Sequence, residues 1–279
     1  MTISKKAIPY ILVAPALIIY IVFSFIPLVG VFKLSFFRTN FVREQYVGLR
    51  NYVKLFSDPA FLTVLWNSCI YVFLGVPIGT TIAVAFALFI FNTSSRWQTY
   101  ARTMVYLPGF LGVIILSATW RWVWHPEVGL INSMLKMDIP WFSTRWTSIV
   151  PIIVSAMITG WGGSLIYYSA ALATVSPEVI DAAKVDGATW GQIRRHILLP
   201  SIYKVIVLMV LLGTSGWFQQ FYWIELLAPY DYAGTVMWKM YNVAFKFSKY
   251  GLGSAYSVVL MFIILAIVMV QRYAMRRKA

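Results

Sequence analysis

The chain has 279 residues, 60% of them hydrophobic and 11% charged, with 23 Lys and Arg against 9 Asp and Glu, a net charge of +14. Soluble domains carry about 25% charged and about 45–50% apolar residues, so a soluble globular protein, a disordered chain and a collagen-like fibre are all excluded. A single cysteine, Cys69, lies in an apolar run and gives no support to disulfide, redox or cysteine-based metal chemistry.

A membrane helix needs about 20 mostly apolar residues to cross about 30 Å of hydrocarbon. Six windows free of Asp, Glu, Lys and Arg meet or approach that length: Ala7 to Phe32, Pro59 to Ser95, Thr103 to Trp120, Trp146 to Pro177, Val205 to Ile224 and Tyr250 to Gln271. They predict an all-α membrane protein, one domain over 1–279, with six spans at about 8–32, 62–91, 103–124, 147–173, 203–226 and 252–272. The first window follows Lys5 and Lys6 but exceeds the roughly 7–15 residues of a signal-peptide core and no small-residue cleavage site follows it, so it reads as an uncleaved span. Pro9, Pro15 and Pro27 lie in or beside it, which membrane helices tolerate because neighbours re-satisfy the freed carbonyls.

Six spans place both termini and the loops after spans two and four on one side. That side holds 12 of the 23 basic residues, including Arg96, Arg102, Lys184, Arg194, Arg195 and the C-terminal Arg272, Arg276, Arg277 and Lys278. Basic density favours that side as cytoplasmic, with the C-terminal cluster anchored on anionic lipid. No basic stripe or recognition motif for nucleic acid accompanies the charge.

No Gly-Lys dipeptide occurs, so no phosphate-binding loop of the G-x-x-x-x-G-K-[ST] type exists in this chain. The spans carry no ionisable residue of the kind that drives proton or voltage machines; Arg121 and Glu225 fall at predicted span ends. His125 and His196 have no partner at metal-ligand spacing and read as loop or interfacial histidines. A self-sufficient secondary transporter or channel would call for intramembrane charges or paired broken helices, and neither is visible. The energy source is therefore expected on another protein.

Ser176 to Pro200 reads SPEVIDAAKVDGATWGQIRRHILLP, on the side assigned as inner. Ser176, Pro177 and Glu178 form a helix start: hydroxyl cap, proline at the first position, acid in the first turn. Val179, Ala182, Ala183 and Val185 give a small apolar face, Gly187 ends the helix, and Thr189 with Gln192 is a capping box that opens a second one. The stretch resembles the EAA motif of the permease subunits of bacterial ATP-binding-cassette importers, with Asp181, Ala182, Ala183, Gly187, Ile197, Leu199 and Pro200 at the family's spacing. Asp181 stands where the family usually has Glu.

The resemblance extends over nearly the whole chain and points to the carbohydrate branch, the first permease of maltose and glycerol-3-phosphate importers. It is carried by PALIIYIVFSFIPLVGVFKLSF, VGLRNYVKLFSDPAF, FQQFYWIELLAP, TVMWKMYNVAF and YGLGSAYS; where the family often has Gly-Gly-Pro, this chain has Leu227-Ala228-Pro229. What the resemblance implies is the six-helix type I importer permease fold, in a bacterial cytoplasmic membrane with both termini inside. It further implies a second permease, two ATPase subunits that hold ATP and Mg, an extracytoplasmic solute-binding protein and a carbohydrate solute, with no cofactor or metal on this chain. The 176–200 segment would be the coupling loop that docks on an ATPase. ABC permeases for other solutes share such a loop but not these flanks.

A sugar site uses aromatic faces and amides or hydroxyls. Span five offers Gly213, Gly216, Trp217, Gln220 and Trp223 on one helical face, beside Gln219, and span four offers Trp161, Ser164 and Tyr168. By resemblance, Trp217 and Gln220 lie where the maltose-type subunit contacts sugar. The spans hold no cation for a phosphorylated solute, which favours a neutral oligosaccharide.

Overall fold

The computed structural model describes residues 8–39, 42–228 and 230–276. In chain order the helices are α1 (Ile8–Tyr20) and α2 (Ile26–Leu34), a hairpin of β1 (Phe37–Thr39) and β2 (Glu44–Tyr46), then α3 (Arg50–Phe56), α4 (Pro59–Ile90), α5 (Ser95–Tyr106), α6 (Val113–Val123), α7 (Leu130–Leu135) and α8 (Arg145–Leu172). They continue with α9 (Pro177–Val185), α10 (Trp190–Ile193), α11 (Leu199–Ser201), α12 (Tyr203–Phe218), α13 (Tyr222–Leu227), α14 (Val236–Tyr241) and α15 (Tyr250–Arg276). Two compact units make up the chain: residues up to Phe61 with Lys239–Phe262, and Leu62–Trp238 with the segment from Ile263 onward.

In the first unit, α1 and α2 run on through a π-helical turn at Ile21–Phe25, so Leu12–Leu34 is one apolar stretch with no residue of its most apolar window buried. Lipid or a second subunit must cover it, because water cannot. β1 and β2 pair antiparallel with Arg38 opposite Gln45, and buried Asn51 ties α3 to this hairpin by donating to the Ser35 and Phe37 carbonyls at 2.8 and 2.9 Å. Gly251 on α15 packs against the same turn; a Cβ there would come within 1.8 Å of the Phe37 carbonyl oxygen.

The second unit holds two clusters of buried side chains. One joins Ile70 and Tyr71 of α4 to Ile149, Ile152 and Ile153 of α8 and Trp223 and Ile224 of α13. The other joins Ala83 and Ala87 of α4 to Leu165, Tyr168 and Leu172 of α8 and to Ile180, Ile193 and Leu198 of the 176–200 segment.

Four helices are long and apolar enough to cross a membrane, and two bent pairs bring the total to six. The expected spans 8–32, 62–91, 147–173 and 252–272 correspond to Leu12–Leu34, Pro59–Ile90, Arg145–Leu172 and Tyr250–Met275. The other two differ from continuous helices. Where 103–124 reads as one span, α5 and a 3-10 turn at Leu107–Phe110 meet α6 at 95°. Pro108 removes a backbone donor, and extended Leu111 and Gly112 (ψ 134° and 141°) break the ladder. Where 203–226 reads as one span, α12 stops at Phe218 and α13 starts at Tyr222, while the helical stretch Trp190–Ser201 meets α12 at 63°.

Gly162 is what lets α5 lie on α8. A Cβ at Gly162 would come within 2.6 Å of the Val105 carbonyl oxygen and 2.8 Å of Tyr106 Cα, both backbone, whereas one at Gly163 would meet nothing within 4 Å. Gly162→Ala is therefore expected to destabilise the detergent-solubilised protein by about 1–3 kcal/mol, the usual range for overpacking, with Gly163→Ala close to wild type, as read by thermal unfolding.

Candidate functional site

The 176–200 segment folds as two short helices joined by a tight turn. Ser176 occupies the cap position with extended backbone, but its hydroxyl donates to the Glu178 carboxylate and does not accept from a backbone amide as the sequence leads one to expect. That hydrogen bond holds the Glu178 carboxyl below its ordinary pKa. Asp181 pairs with Lys184 at 2.8 Å, both exposed, a pairing of about 0.2–1 kcal/mol at most, and Lys184 Nζ lies 5.5 Å from the Trp190 ring centroid.

Gly187 terminates α9 with φ +81°. The Ala188 amide donates to the Ala183 carbonyl at 2.9 Å and the Gly187 amide to Lys184 at 3.0 Å, the pair of bonds that defines a Schellman C-terminus. A side chain at this φ strains the backbone, so the spacing from Ala183 to Gly187 is a geometric requirement. Thr189 and Gln192 close the expected capping box: the Thr189 amide donates to Gln192 Oε1 at 2.7 Å and the Gln192 amide to Thr189 Oγ1 at 3.4 Å. Ile197 then lies in a π-helical turn, and Leu199 and Pro200 in the one-turn α11 that precedes the bend into α12.

One side of this segment is anchored and the other is open. Ile180, Ile193 and Leu198 are buried among side chains of α4 and α8, with Ala183 and Ile197 packed at the margin. Asp181, Ala182, Gly187, Leu199 and Pro200 are exposed, and Val185 is 88% exposed. A cleft of about 310 Å³ lies between the turn after α9 and the helical stretch that follows, lined by Asp186, Gly187, Ala188, Gln192, His196 and Ile197.

The candidate pathway residues are not gathered into one face. α12 ends at Phe218, so Gln220 and Trp223 do not continue the helical stripe begun by Gly213, Gly216 and Trp217. Trp217 stacks on Tyr71 with centroids 6.4 Å apart and lies flat on α4 at Gly75, where a Cβ would come within 2.2 Å of Trp217 Cε2. Trp223 is buried in the first cluster. Gln219 folds back on its own turn, donating to Ser215 Oγ at 2.9 Å. The Gln220 carboxamide has no hydrogen-bond partner among the described residues, while its backbone carbonyl accepts from the Thr235 hydroxyl. On α8, Trp161 meets Phe86 edge-on at 5.3 Å, Ser164 is half-buried and Tyr168 is fully buried. Trp161 and Tyr168 belong with the cluster that anchors the 176–200 segment, Trp217 and Trp223 with the other.

The sequence reading passed over Asn67, Ser68 and Tyr71, which share the first cluster's face of α4 and are fully buried. Asn67 Nδ2 donates to the Tyr232 and Gly234 carbonyls at 2.9 and 3.0 Å, Tyr71 donates to Ala233 at 3.1 Å, and Ser68 Oγ accepts from the Val236 amide at 3.0 Å. They hold the irregular 232–236 segment as a neighbouring strand would. Being uncharged, they do not interrupt the charge-free window Pro59 to Ser95. Pro229, the site of the departure from Gly-Gly-Pro, lies outside the described residues. Among the described residues no cluster of His, Cys, Asp and Glu could hold a metal.

Gly187→Ala is expected to weaken the end of α9 by about 1–2 kcal/mol, raising amide exchange at Ala188 roughly tenfold while leaving the buried amide of Ile193 unchanged. Ser176→Ala should let the Glu178 pKa rise toward the ordinary carboxylate range. The Ser176–Glu178 contact is complete above the unperturbed pKa and is lost as pH falls through the lowered one; carboxylate NMR titration of both proteins reads the difference.

No family model matches the sequence. The chain is 31% identical over 273 residues, 94% of its length and 92% of the relative's, to the inner membrane ABC transporter permease protein YcjO of Escherichia coli. It is 29% identical to the arabinooligosaccharides transport system permease protein AraP of Halalkalibacterium halodurans, over 97% of this chain and 88% of that one. With the lactose transport system permease protein LacF of Rhizobium radiobacter it shares 27% identity over 96% and 94% of the two chains. Among solved structures, a chain of a bacterial ABC transporter involved in the import of the acidic polysaccharide alginate superposes with a TM-score of 0.86 at 23% identity, covering 98% of this chain and 96% of that one. The all-α importer permease fold is thus shared along the whole length, and the chain belongs to the permease proteins of ATP-binding-cassette transporters.

Proposed function

We propose that this chain is one of two permease subunits of a bacterial carbohydrate importer and that the 176–200 segment couples it to an ATPase. The observation that carries the reading is the segment itself: a helix closed by a left-handed glycine, exposed along Asp181, Ala182 and Val185, and anchored through Ile180, Ile193 and Leu198 on the ends of α4 and α8. A docked ATPase would cover the exposed side, and its movement would reach the spans through the buried one. ATP and Mg belong to that partner.

The relatives' names supply the solute class. They are permeases for arabinooligosaccharides and for lactose, which supports an uncharged oligosaccharide delivered by an extracytoplasmic binding protein. The Gln220 carboxamide, without a hydrogen-bond partner among the described residues, is together with Gly216 and the partly buried Trp217 the contact we assign to the passing sugar; Trp223 acts from the core behind it. A paralogous second permease is the expected partner across the pathway. The 176–200 loop then lies in the cytoplasm, with both termini, and Arg272 sits at the inner lipid surface.

Asp181→Ala and Gly187→Ala are expected to abolish uptake of the solute in cells, or reduce it more than about tenfold, a coupling loss of about 1.4 kcal/mol or more, with the protein's abundance in the membrane unchanged. The wild-type chain, expressed with its genomic neighbours, should copurify with an ATPase whose hydrolysis rises with the loaded binding protein. Normal uptake by both variants overturns the coupling role. Solute movement by the chain alone in ATP-free liposomes overturns the subunit reading.

A further inference from the structure

At the opposite end of α8 from the 176–200 loop, the second unit carries a pocket of about 330 Å³ lined by Arg121, Trp124, His125, Phe142, Leu227 and Tyr230. Its walls come from the end of α6, the loop that follows it, and the segment after α13. None belongs to the coupling loop or to the residues assigned above to the pathway.

The walls are held by hydrogen bonds to the scaffold. The buried Trp124 indole donates to Ser155 Oγ of α8 at 2.9 Å. Asn132, also buried, donates to the Pro126 and Ile139 carbonyls at 2.7 and 2.9 Å and accepts from the Trp141 indole at 2.7 Å, closing the loop on itself. The Tyr232 hydroxyl donates to the Phe142 carbonyl, and Tyr230 stacks on Tyr232 with centroids 5.2 Å apart. Gly129 lets this loop pass close to itself, since a Cβ there would come within 2.2 Å of the His125 carbonyl oxygen.

The lining also holds polar side-chain atoms without a hydrogen-bond partner among the described residues. Arg121 makes no hydrogen bond or ion pair among the described residues. His125 Nδ1 accepts from the Glu127 amide at 3.2 Å and lies 3.4 Å from that of Val128, which leaves Nε2–H as the donor of the neutral ring. Tyr230 adds a hydroxyl that both donates and accepts. A guanidinium fork, a ring N–H and a hydroxyl among aromatic faces match the vicinal hydroxyls and C–H faces of a pyranose. The volume sits at the lower end of the range of about 300–1,000 Å³ for pockets that enclose small molecules, more than one carboxylate side chain of a docking protein would fill.

We infer that this pocket is a second carbohydrate subsite, at the outer mouth, which takes one uncharged sugar ring of the solute before it reaches Gln220. The inference deepens the carbohydrate reading above but is tested without an ATPase, so the two can fail separately. Saturation-transfer NMR on the purified full chain in detergent, with lactose or arabinotriose as probe, should show binding that Arg121→Ala weakens about tenfold, the effect of losing a hydrogen bond to a charged group. Tyr230→Phe, which keeps the ring, should weaken it about threefold, and Asp138→Asn, exposed on the same loop, should leave it unchanged, all at wild-type melting temperature. Absence of binding to the wild-type chain, or binding that neither Arg121→Ala nor Tyr230→Phe alters, overturns the subsite. So does preference for glucuronate over lactose, which would make it a site for acidic ligands. Normal lactose binding by Arg121→Ala with weakened capture of the extracytoplasmic protein would instead identify a protein contact.

Discussion

A backbone N–H or C=O buried away from water needs a hydrogen-bond partner, so each buried irregular stretch of the chain must find one within the protein. Much of this molecule is arranged around that constraint. The 232–236 segment cannot continue a helix, and its carbonyls and amide are met by Asn67, Ser68 and Tyr71 of α4. Thr235 in turn meets the Gln220 carbonyl at the end of α12. Three buried polar side chains on one helix thus permit α12 to stop early, and the early stop is what frees the Gln220 carboxamide from a helical surface. Replacing any of the three with an apolar residue would leave a buried carbonyl or amide unmet, a loss of about 1–3 kcal/mol each.

The same constraint explains which parts of the fold were legible in the sequence. Helix count follows from the length of charge-free windows, a property of composition alone, and the four straight spans emerge close to their expected limits. Helix breaks follow from which neighbour can accept the freed backbone groups, and that is a long-range matter. Pro108 and Gly112 are visible in the window 103–124, but Pro77 and Pro151 are as visible in their own windows and stay inside α4 and α8. What separates them is tertiary: Leu107–Phe110 tightens into a 3-10 turn against α8 around Gly109 and Gly162, whereas α4 and α8 run on past their prolines. Helical periodicity past Phe218 failed for the same reason, since nothing local marks Gln219–Phe221 as a break.

The 176–200 loop was legible because its determinants are short-range. A left-handed glycine, a Thr–Gln box and a proline after the cap each act within five residues, and sequence spacing reports them directly. The one local reading that changed, the Ser176 hydroxyl, lost to an equally local competitor two residues away, the Glu178 carboxylate.

The coupling role proposed for the 176–200 loop would require it to transmit work without coming loose. Moving a two-state equilibrium from 1:99 to 99:1 takes about 5.5 kcal/mol. Ile180, Ile193 and Leu198 of the loop are buried together in the cluster shared with α4 and α8, and burial of such side chains contributes about 1.5–3 kcal/mol each. The three together hold the loop by about 4.5–9 kcal/mol, comparable with the work a full conformational switch requires. The exposed side has no comparable hold: the Asp181–Lys184 pair and the projecting Val185 contribute little until something covers them. A force applied to α9 therefore moves the ends of α4 and α8 with it before it peels the loop away, and the direction of weakness points outward, toward a partner that can bind and let go.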